Sequence, residues 1–163
     1  MQEIRIDRKN FEKWSDQIEE LFNNSFRINF PDALFDNSYG RNKCRDLARY
    51  LEDCTAIVFA ATEGNKLAGW VWCHEICRVN GRRIHIAEIA VAEEWRRQGV
   101  GGRLLERVEL YAAQNGYEEI DLLVTASNAC AVQFYNKAGF NSERYLMKKT
   151  INTNFHGWEN IDA

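Results

Sequence analysis

An apolar run from Ile84 to Val91 leads within a few residues into Arg96-Arg97-Gln98-Gly99-Val100-Gly101-Gly102. A helical pattern follows, with Leu104, Leu105, Val108, Tyr111 and Ala112 on one side. A strand that feeds a glycine-rich turn and then a helix builds an anion site. Glycines let the backbone come close to a ligand and expose successive N–H groups. The first helical turn leaves its own N–H groups unpaired and adds a positive dipole end. A phosphate or diphosphate is the expected guest.

The rest of the chain reads around this unit. Residues 3–6 alternate as a short strand, and Phe11, Trp14, Ile18, Leu21 and Phe22 are spaced for one face of a helix that Asp7 or Asn10 could cap. A polar and aromatic loop is expected from about Asn23 to Gly40, then a second helix carrying Cys44, Leu47, Ala48 and Leu51 inward. Thr55 to Ala61 is a buried strand by its β-branched, apolar content. Leu67–Cys77 and Arg82–Val91 form a long hairpin around Asn80-Gly81, the strongest local hairpin signal. Glu119–Val124 is a strand, Ala131 to Ala138 a short helix ended by Gly139, and Ser142–Ile151 a final strand. Three antiparallel strands followed by two strand–helix–strand links predict a mixed α/β sheet with helices on its faces.

At 163 residues the chain is expected to be a single domain spanning 1–163. Its net charge of −3 argues against nucleic acid as a partner and is compatible with a cationic small substrate. No apolar run is long enough to span a membrane, and the first residues lack the apolar centre of a secretory signal. The five cysteines are odd in number and suggest no disulfide framework, so a reducing cytoplasm is expected. Cys73-His74-x-x-Cys77 misses the usual zinc spacings, and on a strand His74 points away from both cysteines; no metal is expected.

The glycine spacing fits neither a dinucleotide fingerprint nor a P-loop, since Gly102 is followed by Arg103-Leu104. It fits Arg-x-x-Gly-x-Gly, with Arg96, Gly99 and Gly101 in the fixed positions. A second block, Asn128-x-x-Ala131-x-x-x-Tyr135-x-x-x-Gly139-Phe140, lies about 30 residues on. The two blocks together resemble the GNAT superfamily of N-acetyltransferases, closely over about residues 67–150. The resemblance implies a GNAT-like fold: a central mixed sheet, splayed at its parallel strands, flanked by about four helices. It also implies acetyl-CoA as cosubstrate. Backbone groups of Ile89, Ala90 and Val91 would pair with pantetheine at the splay. The segment Arg96, Arg97, Gln98, Gly99, Val100, Gly101, Gly102 and Arg103 would hold the diphosphate, and Asn128 and Tyr135 would contact the cofactor. For Asn128, helix capping is the competing reading.

Acetyl transfer to an amine needs a base for the ammonium, a donor for the thioester carbonyl and an acid for the departing thiolate. Tyr135 resembles the tyrosine that protonates the sulfur in this family. Glu88 is the candidate base, because it is a carboxylate in an otherwise apolar strand; substrate binding alone is the competing role. If Asn80-Gly81 forms a two-residue turn, Val79 pairs with Arg82 and Cys73 with Glu88, and Glu75 shares the face of Glu88. Glu75 would then help attract a cationic amine. Asp32 and Asp36, in the loop that commonly walls the acceptor site in this family, are further candidate substrate contacts.

The protein N-terminal acetyltransferases that this chain resembles around Ser127-Asn128-Ala129 carry a glutamate base where Leu123 stands here. Leucine cannot take a proton, which favours a small-molecule primary amine over a protein terminus. Glu143 to Lys149 resembles, loosely, the end of aminoglycoside 6′-acetyltransferases, so aminoglycoside-like and polyamine-like amines are both compatible. A protein lysine or N-terminal acetyltransferase, and a non-catalytic acyl-CoA-binding module, are the alternatives. Dimers are common in this family, and Phe155 and Trp158 in the tail could serve a homodimer interface.

Overall fold

The computed structural model describes residues 1–34, 36, 38–78 and 81–150, with Arg78 by its backbone alone. The elements are β1 (Gln2–Ile6), α1 (Phe11–Asn29), α2 (Ser38–Glu52), β2 (Ala56–Glu63), β3 (Lys66–Arg78), β4 (Gly81–Val91), α3 (Val100–Gln114), β5 (Glu119–Leu122) and α4 (Ala129–Lys137). A single 3-10 turn, Glu93–Trp95, precedes the glycine loop. The five strands form one sheet in sequence order; β1 to β4 are antiparallel neighbours and β4 pairs with β5 in parallel.

Two cores lie on opposite faces of the sheet. On one face α1 and α2 bury Trp14, Ile18, Phe22 and Leu47 against Val58, Trp70 and Trp72. On the other, α3 buries Val100, Leu104 and Val108 against Phe59, Val71, Cys73 and Ile84. Every residue of β2 from Ala56 to Thr62 is buried, because this strand is covered on both faces. Each fully buried large apolar side chain contributes about 1.5–3 kcal/mol. Trp70, with no exposed surface, meets the Phe22 ring edge-on at 4.9 Å.

The splay between the parallel strands is plain in the pairing. It starts at Arg83 with Glu119 and stops at Ile86 with Leu122. β4 runs five residues further, Ala87–Val91, with β3 on one side and no β5 partner on the other. The backbone groups on that side are an open edge, able to receive an extended amide chain.

Four expectations are corrected. α1 continues to Asn29 and α2 starts at Ser38, so much of the expected loop from Asn23 to Gly40 is helix. β5 ends at Leu122 instead of Val124. Residues 142–150 form no strand; Ile151 and the tail with Phe155 and Trp158 lie outside the described residues. The hairpin closes with Arg78 opposite Gly81 and Cys77 opposite Arg82. Val79 and Asn80 also lie outside the described residues. A bulge at Trp72/Cys73 then shifts the register again, so Cys73 faces Ile86 and Glu88 faces Trp72. A one-residue slip moves a side chain to the other face of a sheet. Glu88 therefore lies on the α1/α2 face and Glu75 on the α3 face.

Candidate active site

Gly99 adopts φ +78°, the left-handed region, at the N-cap of α3. The Arg97 backbone is left-handed too, at φ +60°. The first helical bond runs from the Arg103 N–H to the Gly99 carbonyl at 3.1 Å. The N–H groups of Val100, Gly101 and Gly102 thus have no partner in the helix. Residues 96–99 are exposed and 101–103 partly so, which leaves the cradle open to a ligand. A side chain on Gly101 would sit 3.2 Å from the Phe134 ring, so the second sequence block packs directly on the first. Arg96 turns back and donates from Nε to the Val91 carbonyl at 3.2 Å, tying the loop to the end of β4. These features fit an acyl-CoA: a diphosphate on the helix start and amides along the unpaired edge of β4.

Glu88 sits where that edge meets a cavity of about 540 Å³ between α2 and the sheet. Phe22, Trp72, Tyr50, Lys43 and His74 line it with Glu88. Ser25 Oγ donates to Glu88 Oε1 at 2.7 Å. Burial pushes the Glu88 carboxyl up to about 7; the Ser25 hydroxyl and the Lys43 charge pull the other way. Burial also raises the Tyr135 phenol well above its usual range, and the Glu88 charge adds to it. The predicted base and acid are thus within electrostatic reach of each other. Tyr135 is held by rings of Phe134 and Phe140 at 5.2 and 5.7 Å.

Asn128 is a helix cap: its Oδ1 accepts from the Ala131 N–H at 3.1 Å. Its amide also donates to Asn29 Oδ1 at 2.8 Å, and Asn29 Nδ2 reaches Ser25 Oγ at 3.4 Å. A polar chain therefore links the start of α4 to Glu88 through α1. Ser25 and Asn29 were absent from the expected set. A signal was available, since both continue the Trp14, Ile18, Leu21, Phe22 stripe at helical spacing. Polar residues at core-facing positions ask for a partner.

Three expected substrate contacts lie elsewhere. Glu75 accepts from Arg82 and from the Tyr117 hydroxyl, each at 2.6 Å, and the Arg82 guanidinium foremost holds its carboxyl down at about 2. Asp36 stands two residues before Ser38, the first of α2, and accepts from its N–H at 2.7 Å and from its hydroxyl. Asp32 is exposed in the loop between α1 and α2. Of that segment it is Tyr39 that lines the cavity, against Phe26 at 4.5 Å between ring centroids. Leu123 is 82 % exposed just past β5. Among the described residues no helix is long and apolar enough to cross a membrane.

An open anion cradle, a splayed parallel pair and a partly buried carboxyl beside them define a class of acyl-transfer folds. Residues 15–140 match the model of the Acetyltransferase (GNAT) family, and the chain belongs to it. It is 26% identical over 139 residues to N-alpha-acetyltransferase 60 of Xenopus tropicalis, a match covering 80% of this chain and 57% of that one. It is 40% identical over 67 residues to an N-alpha-acetyltransferase of Saccharolobus solfataricus, covering 40% of each. The chain thus spans about half the length of these curated relatives. The solved structure of an aminoglycoside acetyltransferase from an uncultured soil metagenomic sample superposes with a TM-score of 0.71 at 20% identity, over 93% of this chain and 95% of that one. That likeness is one of fold.

Proposed function

We propose that this chain is an acetyl-CoA-dependent N-acetyltransferase acting on the primary amine of a small molecule, by direct transfer in a ternary complex. The observation that carries the reading is the position of Glu88. It is a partly buried carboxyl with a proton affinity near neutrality, placed between an aromatic cavity and an unpaired strand edge.

Acetyl-CoA supplies a thioester whose C–S bond breaks as the N–C bond forms. Glu88, ionised, takes the proton of the incoming ammonium. Its Oε1 is fixed by Ser25, which leaves Oε2 as the accepting atom. Backbone N–H groups of the open β4 edge stabilise the carbonyl oxygen as it gains charge. Tyr135 Oη gives its proton to the departing sulfur and is reset by the second proton that the nitrogen loses as it becomes an amide, while Glu88 releases its own to solvent. Glu88 and Tyr135 thus act as base and acid in one turnover.

A protein N-terminus is the second reading, favoured by the N-alpha-acetyltransferase relatives. Against it stands Leu123, which cannot act as a base. The deciding experiment incubates the protein with acetyl-CoA and either small amines or short peptides, and follows free thiol. Turnover with small amines that Glu88→Gln abolishes supports the reading. Acyl-CoA binding without thiol release from any amine or peptide refutes catalysis, and turnover with peptides alone moves the acceptor to a protein terminus.

A further inference from the structure

The cavity beside Glu88 has a charge layout of its own. Its floor and side are rings: Tyr50 meets Trp72 at 5.2 Å and 70°, and Phe22 meets Trp72 at 6.5 Å and 89°. Such a wall takes up an apolar or aromatic body. On the rim, Arg49 and Asp46 pair across one turn of α2 at 3.9 Å, with side chains 68 % and 49 % exposed. They largely cancel each other. Burial first and then His85 lower the proton affinity of His74, while Asp121 raises it.

Two further charges line the cavity, and they are opposite. Glu88 is one. Lys43 is the other: it has no carboxylate within salt-bridge distance among the described residues, and its ammonium lies 5.9 Å from the Tyr39 ring centroid. Its charge acts on the Glu88 carboxyl. A ligand with one ammonium is drawn to Glu88. A second ammonium would meet Lys43 and be repelled. A carboxylate beside the first ammonium would pair with Lys43. One support for a cationic amine was Glu75 and Glu88 sharing a face, and they do not.

We propose that the acceptor is a zwitterion of the α-amino-acid type: a primary amine, an adjacent carboxylate held by Lys43, and an apolar or aromatic side group on the Phe22, Trp72 and Tyr50 wall. This rests on the N-acetyltransferase reading. In the reaction the ammonium gives its proton to Glu88. The nitrogen bonds the acetyl carbon, the C–S bond breaks, and the sulfur takes a proton from Tyr135; the second proton the nitrogen sheds on becoming an amide returns to the Tyr135 phenolate, and Glu88 releases its own to solvent. The product is a neutral amide that keeps only its carboxylate. It has no ammonium left to attract Glu88, which favours release.

The test compares phenylalanine, phenylalaninamide, phenethylamine and spermidine as acceptors with acetyl-CoA, reading kcat/KM from free thiol. Phenylalanine is expected to exceed phenethylamine and the amide by about tenfold or more, the scale of one charge-assisted hydrogen bond. Lys43→Gln should remove that advantage and Lys43→Arg should restore it. Equal rates for phenylalanine and phenethylamine, a preference for spermidine, or an unchanged ratio in Lys43→Gln would overturn the proposal while leaving amine acetylation standing. If no amine releases thiol, the catalytic reading fails instead. Calorimetry of phenylalanine and phenethylamine, with coenzyme A present, then decides this inference separately. Tighter binding of phenylalanine supports it, and equal or absent binding sinks it.

Discussion

Ser25 and Glu88, 63 residues apart in the chain, meet at 2.7 Å with the serine hydroxyl donating to the carboxylate. The bond favours the ionised form of a group that burial otherwise keeps protonated. Removing it in Ser25→Ala should move the Glu88 carboxyl further up. A base works ionised, so kcat/KM rises with pH through its pKa. In the variant this rising limb should shift to higher pH, with activity lost at about pH 6 and kept at about pH 9. Ser25→Thr retains the hydroxyl and should retain the wild-type limb. A pH–rate profile unmoved by Ser25→Ala would separate Ser25 from the chemistry.

Glu88→Gln should trade activity for stability in a pH-dependent way. The carboxyl is raised from an ordinary 4.5 to about 7 in the fold. Between those values the native state holds more protons than the unfolded chain, so stability falls as pH rises through that window. Glutamine does not ionise. The variant should gain up to about 3 kcal/mol over wild type at about pH 8, and match it at about pH 4. Urea denaturation at the two pH values reads this directly. An equal difference at both would show that the carboxyl is not held in the protonated form.

Tyr135→Phe keeps the ring contacts with Phe134 and Phe140 and removes only the hydroxyl. Turnover should fall by about a hundredfold, the scale of general acid catalysis. Affinity for coenzyme A should change little. Steady-state kinetics and calorimetry separate the two quantities, and an unchanged turnover would assign the acid elsewhere.

Gly99 and Gly102 should respond in opposite directions to alanine. Gly99 is left-handed at φ +78°, so Gly99→Ala should cost about 1 kcal/mol or more of stability. Gly102 is helical with nothing within 4 Å of an added Cβ. Gly102→Ala should therefore gain about 0.5–1 kcal/mol, as alanine does in a helix. That methyl would stand in the mouth of the anion cradle, so affinity for coenzyme A should drop as stability rises. Undiminished affinity would place the diphosphate elsewhere.

Asn128 has two partners that substitution can part. Asn128→Ala loses both the α4 cap and the donor to Asn29, and should cost about 1 kcal/mol from the cap alone. Asn128→Ser keeps a capping oxygen and loses the reach to Asn29. If the polar chain orients Glu88, the serine variant will still show the altered pH–rate limb.

Much of the site could be read in the chain because its signals are local. The glycine loop, the Asn128 block and Tyr135 each depend on neighbours within a few residues. Glu88 stood out as a carboxylate among apolar neighbours, Ile86, Ala87, Ile89 and Ala90. Gly101 and Phe134 belong to separate motifs, and the close packing between them explains why the two occur together. Ser25 was legible in principle, as a polar residue on the buried stripe of α1.

Composition and periodicity alone were enough for the mixed sheet, the hairpin and the strand–loop–helix cradle, since these follow from hydrogen-bonding geometry and side-chain spacing along a few turns. Which carboxylates share a cavity was settled only by tertiary structure. Face in a sheet depends on accumulated register, and the single bulge at Trp72/Cys73 parted Glu75 from Glu88. The same assembly brought Lys43 of α2 and Ser25 of α1 to Glu88, a meeting that no local pattern encodes, because only the packing of two helices on one face creates it.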